Sequence, residues 1–199
     1  MIDLSHPYRR AAPSDAPELA VLVNMAGEGL PLYLWTKMAE PDEDPWEVGS
    51  RRAQRDSGNF SYRNAVMMEQ DGSVVGCLIG YPLSAEPEPI NYDETPPMFV
   101  PLQELENLAP GTWYVNVLAV HPEHRGRGYG GQLLSVAERI ANGAGCSGMS
   151  IIVSDANAGA RRLYERAGYT EGAERPMVKD GWSNPGQNWV LLIKGLNRR

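Results

Sequence analysis

The chain has 199 residues and a formal net charge of −7, from 18 Lys and Arg against 25 Asp and Glu. That length fills one domain well and is short for two, so a single domain spanning 1–199 is expected. The acidic balance argues against a nucleic-acid partner, whose binding would rest on phosphate neutralisation by Lys and Arg. No apolar run approaches the ~20 residues needed to span a bilayer, so no membrane partner is expected, and the polar start Met1–Arg10 does not read as a signal peptide. Cys77 and Cys146 lie in separate apolar surroundings without metal-like spacing, which points to reduced thiols and a cytoplasmic protein. His6 and His124 show no partner pattern, so no metal site is expected.

Tyr8–Ala12 reads as a short first strand. Asp15 followed by Glu18 predicts a capping box, opening a helix whose buried stripe is Leu19, Leu22, Val23 and Ala26 and which Gly27 or Gly29 stops. Leu30 to Arg55 predicts two helical pieces broken around Pro41 and Pro45. The acidic run Glu40 to Asp44 is either a solvated loop or a substrate-steering patch, with Trp35 and Trp46 flanking it as a pocket wall. Phe60–Gln70 and Val74–Tyr81 predict two strands joined by a tight hairpin turn at Asp71-Gly72. Pro82 to Gly111 then holds seven prolines and a few apolar anchors. An excursion of that length either covers a sheet edge or forms a substrate lid, and Leu102–Leu108 predicts a short helix within it.

Thr112–Val120 is apolar and rich in β-branched and aromatic residues, as a buried strand requires. After the turn His121–Arg127, apolar positions at Leu133, Leu134, Ala137, Ile140 and Ala141 predict a helix starting at Tyr129. Met149–Ser154 predicts the next strand and Ala158–Ala167 a short helix ended by Gly168. Tyr169 opens a further strand, Arg175–Gln187 is a loop, and Asn188–Leu196 is a last strand. This order describes an α/β fold of mixed α+β character, a mixed sheet with helices on both faces.

The chemistry concentrates at Arg125, Gly126, Arg127, Gly128, Tyr129, Gly130 and Gly131. The first N–H groups of a helix lack internal partners, and the helix dipole adds partial positive charge where they point. Glycines let that backbone approach an anion closely, and two arginines bring full charges beside it. A phosphate or pyrophosphate is the natural occupant. Gly126, Gly128 and Gly131 also satisfy G-x-G-x-x-G, the dinucleotide fingerprint. However, His121 to Arg125, including Pro122, separate them from the strand, and no Gly-Lys-Ser/Thr completes a nucleotide-binding P-loop.

Arg125 to Gly130 reads R-x-x-G-x-G after a strand ending Leu118-Ala119-Val120, and this resembles motif A of the GNAT N-acetyltransferases. Asn157, Ala160, Leu163, Tyr164, Gly168 and Tyr169 are similar to the family's second motif, N-x-x-A-x-x-L-Y-x-x-x-G-F/Y. The resemblance covers nearly the whole chain apart from 82–111. It implies a central, mostly antiparallel mixed sheet splayed at the motif A strand. Acetyl-coenzyme A would be the cosubstrate, without a metal, the acceptor an unidentified amine, and the assembly a homodimer. It further implies that the backbone of Leu118, Ala119 and Val120 binds the pantetheine arm, that Arg125 to Gly131 holds the pyrophosphate, and that Asn157 and Ala160 contact the cofactor. Tyr164 would protonate the departing thiolate. Asn157 also reads as a helix cap, and Tyr164 as a packing residue beside Leu163 and Ala160.

Asn116 stands where many relatives carry a glutamate, and an amide cannot take the proton of the amine. Glu28, Asp155 or His121 could do so directly or through water, although each also reads as a surface or turn residue. Glu28, Trp35 and Asn116 are candidate substrate contacts, and an acidic surface suits a cationic amine. The missing base also admits a non-catalytic acyl-coenzyme A binding or sensing module. The accidental glycine fingerprint, with Asp155 after the next strand, admits a nicotinamide-dependent oxidoreductase.

Overall fold

The computed structural model describes residues 3–196. Its strands form one seven-stranded sheet in the order β1-β2-β3-β4-β5-β7-β6, flanked by helices on both sides. The chain divides into two compact units, one holding the segments up to Gly80 and Val117–Ser135, the other Tyr81–Asn116 and everything from Val136 onward.

In the first unit, β1 (Tyr8–Arg10) pairs antiparallel with β2 (Ala65–Gln70), and β2 with β3 (Ser73–Pro82). The hairpin turns where predicted, with φ of 51° at Asp71 and 78° at Gly72. β2 starts later than predicted. Ser61 bonds the carbonyl of Arg55 and accepts from the N–H of Arg63, which bends residues Tyr62–Asn64 into a 3-10 turn before the strand can begin. The helices α1 (Ala16–Ala26), α2 (Leu30–Met38) and α3 (Pro45–Ala53) follow the predicted breaks.

The capping box at α1 does not form. Arg9 grips the Asp15 carboxylate through two nitrogens at 2.7 and 2.9 Å, the N–H of Ala12 adds a third bond at 2.7 Å, and α1 receives no side-chain cap. A guanidinium outcompetes a neutral amide for a carboxylate, and Arg9 holds Asp15 below the usual carboxylate range. The acidic run is a capping turn, with Asp44 accepting from the N–H of Trp46 and Glu43 paired with Arg51. Leu19, Leu22, Trp35, Val48, Met67 and Ile79 centre the unit's core, which Val117 and Ala119 complete. There β3 approaches so closely that a Cβ on Gly76 would lie 2.4 Å from the Ala119 carbonyl oxygen.

In the second unit, β4 (Thr112–Val120) begins parallel to β5 (Gly148–Ser154), and β7 (Asn188–Gly195) lies antiparallel between β5 and β6 (Thr170–Pro176). Beyond Pro176 the predicted loop is ordered by Trp182, which stacks on Trp189 at 5.9 Å. The helices are α5 (Tyr129–Gly143), whose second half belongs here, and α6 (Ala158–Arg166). The excursion carries α4 (Val100–Glu106), two residues earlier than predicted because Pro101 suits a helix's first turn. Asn107 ties the end of α4 to both backbone groups of Glu88, and Leu105 and Ala109 pack on Leu191 with Ile152 and Ile193. The excursion is thus fastened onto strands β5, β6 and β7.

Glu106 ends α4 part-buried, and desolvation together with neighbouring Glu88 pushes its carboxyl up to about 7.

Gly76→Ala should destabilise the fold by about 1–3 kcal/mol in urea titration, because a backbone oxygen cannot move aside cheaply. Glu106 yields a pH-dependent expectation. Its folded carboxyl keeps a proton that the unfolded chain has released, so stability falls as pH rises from the ordinary carboxylate value toward 7. Glu106→Gln should therefore match the parent near pH 4.5 and exceed it by roughly 2 kcal/mol at pH 8. Equal stability of the two at pH 8 would contradict this burial.

Candidate active site

The ladder between β4 and β5 runs from Thr112↔Gly148 to Val115↔Ile151 and ends there. The following residues of β4 make no ladder bond to β5, and strand N–H and C=O groups need partners. Val117 and Ala119 are buried, Leu118 and Val120 half-buried, and Asn116 exposed. On leaving the strand, the N–H of His121 donates to the carbonyl of Val75 at 3.0 Å.

A 3-10 turn at Pro122–His124 then carries the chain into Arg125, whose Nε donates back to the Val120 carbonyl at 3.1 Å. Gly126 and Gly128 take φ of 76° and 82°, a region that side chains disfavour. The N–H of Gln132 reaches the Gly128 carbonyl at 3.1 Å. The amides of Tyr129, Gly130 and Gly131 precede it in the first turn of α5, where N–H groups have no intrahelical acceptor. A Cβ placed on Gly126, Gly128 or Gly131 would meet no atom within 4 Å. The protein's own packing therefore does not demand a glycine at Gly131, and the space beside it is open. Arg125 and Arg127 are exposed, so their charge is available at the same turn. This is a fit for a phosphate or pyrophosphate group.

The second motif lies in the other unit. Asn157 caps α6 by accepting from the N–H of Ala160 at 3.1 Å, and Ala160 is half-buried one turn on. Tyr164 is only 5% exposed and its ring meets that of Tyr169 at 5.9 Å. In the same unit Tyr114 is buried edge-on to Tyr81 at 5.7 Å, two residues before Asn116.

The candidate bases fare differently. Asp155 accepts from the backbone N–H groups of Gln187 and Asn188, both at 2.9 Å, which commits it to holding the start of β7. The His121 ring bonds Glu18 of α1 at 2.5 Å. Glu28 sits half-buried in the turn after α1 with φ of 52°, a strained conformation for a side-chain-bearing residue. Trp35 is 3% exposed, stacked on Phe60 and edge-on to Trp46, so its ring is core rather than the pocket wall expected. Among the described residues no group of three or more His, Cys, Asp or Glu is placed to hold a metal. Sequence reasoning passed over Glu106, because nothing in its local pattern separates it from the other acids of the excursion.

Comparison with known proteins bears on this geometry. A sequence model of the acetyltransferase (GNAT) family matches residues 31–169, more than half of the chain. An acetyltransferase of solved structure superposes with a TM-score of 0.66 at 19% identity, over 96% of this chain and 99% of its own. An N-acetyltransferase from Staphylococcus aureus Mu50 gives 0.64 at 20% identity, over 94% and 98%. A GNAT family acetyltransferase from Elizabethkingia anophelis with acetyl-CoA bound gives 0.50 at 19%, over 66% and 75%. At these identities the structural likeness speaks for the fold, and the family match for the lineage: the chain belongs to the acetyltransferase (GNAT) family.

Proposed function

We propose that the protein moves the acetyl group of acetyl-coenzyme A to an amine by direct attack. The observation that carries this is the turn Arg125 to Gly131, with the first-turn amides of α5, open space beside its glycines and two exposed arginines. It suits the pyrophosphate of the cofactor, and a relative of the same fold is known with acetyl-CoA bound. The backbone of Leu118 and Val120, flanking Ala119 whose carbonyl faces Gly76 of β3, supports the same assignment, since strand groups released from β5 suit the amide-bearing pantetheine arm. Asn157 and Ala160 serve the cofactor as well as the helix cap.

The chemistry needs a neutral amine, a polarised carbonyl and a stabilised leaving thiolate. The nitrogen lone pair forms the C–N bond, the C–S bond breaks, and the sulfur leaves with its electron pair. Tyr164 gives the thiolate a proton, and the second proton shed by the nitrogen balances that gift. A backbone N–H near Leu118 polarises the carbonyl. Asn116, exposed on β4, and Glu28, in its strained turn, are assigned to the acceptor. The free thiols Cys77 and Cys146 fit a reducing cytoplasm, and a homodimer belongs to the same proposal on family resemblance.

The test is release of free thiol from acetyl-coenzyme A across an amine panel, which should accelerate with at least one amine. Tyr164→Phe should lower kcat by about 10- to 100-fold while leaving the KM for acetyl-coenzyme A nearly unchanged. An identical kcat would remove its catalytic role. Replacing Arg125 and Arg127 together by Ala should weaken acetyl-coenzyme A binding at least ~10-fold in calorimetry, with little effect on melting of the apo protein.

A further inference from the structure

The excursion brings the carboxyl of Glu106, with which no cation among the described residues pairs, onto the strand face that displays Asn116. Side chains alternate along a strand, so Thr112, Tyr114 and Asn116 of β4 share a face. Thr112 Oγ1 and Ser150 Oγ lie 2.7 Å apart, which assigns Ser150, and hence Ile152, to the same face of β5. Ile152 packs against the cluster of Leu105, so α4 lies over this face, and Glu106 is the next residue along. Glu106 lies within electrostatic reach of Tyr114, as do Tyr81 and Tyr164.

Among the described residues, the charges around Glu106 leave it uncompensated. Glu88, held to the end of α4 through Asn107, is a like charge. Among the elements packed on α4, β5 has no titratable side chain, β6 carries Glu171, Glu174 and Arg175, and β7 carries Lys194. Arg175 is taken by Glu104, Lys194 by Glu138, and Glu171 by Arg161. Among the described residues no cation pairs with Glu106. A part-buried carboxylate without a counter-ion is costly to keep, unless an incoming cation supplies what the fold withholds.

We propose that Glu106 receives the acceptor, binding the ammonium group of a primary amine and taking its first proton, the task that Asn116 cannot perform. This rests on the acetyl-transfer function proposed above. The proton passes from nitrogen to a Glu106 oxygen and then to water, and the lone pair so freed makes the attack. A carboxyl that titrates near 7 is better matched to this task at neutral pH than an ordinary one. The acceptor class is therefore an amine that arrives as its cation.

The experiment compares the parent with Glu106→Gln, using the amine from the panel that the parent turns over fastest, across pH 5.5 to 9.5. The parent should show an acidic limb in kcat/KM with an apparent pKa near 7. The Gln variant should lose that limb and run about 100-fold slower at pH 8, while its thermal stabilisation by acetyl-coenzyme A stays at the parental value. Glu106→Asp should regain part of the rate with a displaced limb, and this variant carries the test alone if Glu106→Gln does not fold. Parental rate and limb in the folded variant overturn the role of Glu106 and leave acetyl transfer standing. A parent that acetylates no amine overturns both.

Discussion

The structure depends on one interrupted ladder. β4 pairs with β5 as far as Val115↔Ile151 and no further, although β5 itself continues to Ser154 against β7. A strand that abandons a neighbour halfway must satisfy its backbone elsewhere, because unpaired buried N–H and C=O groups are expensive. On its β3 side the strand is locked in by Gly76, where the close backbone approach excludes any side chain. The released stretch, Asn116 to Val120, leads straight into the glycine turn and the first amides of α5. Strand, turn and helix start are thus consecutive pieces of one segment, the one proposed to hold the cofactor.

Much of this was legible because it is local. Gly126 and Gly128 occupy positive φ, and the hairpin at Asp71-Gly72 turns where its residue pair says it must. The two motifs announce themselves by spacing, and Asn157 caps α6 as an asparagine before such a helix should. What failed was decided by partners distant in sequence or by stronger competitors nearby. Asp15 answers to Arg9 rather than to α1, Trp35 is absorbed by Phe60 and Trp46, and Asp155 is occupied by the entry to β7. The environment of Glu106 exists only once α4 has settled on β5, β6 and β7 and Asn107 has brought Glu88 alongside. No short window of sequence contains those contacts.

The excursion consequently changes meaning. As sequence it is a proline-rich interruption of the family pattern. In the fold it is a fastened cover that places an acid on the same strand face as Asn116, at a residue position the family motif does not specify. The proposed acceptor role of Glu106 agrees with a general property of such folds: the scaffold holds the common cofactor chemistry, and connecting segments carry what is particular to the acceptor.

Direct attack is the step on which the whole mechanism stands, and it separates cleanly from transfer through an acetylated enzyme. The decisive measurement mixes the protein with acetyl-coenzyme A under single-turnover conditions, first without and then with an accepted amine, following free thiol and the intact mass of the protein together. Direct transfer predicts no thiol burst and an unchanged protein mass until the amine is added, then one thiol released for each amide formed. A thiol burst without amine, accompanied by an acetylated protein that afterwards passes its acetyl group to the amine, would contradict it.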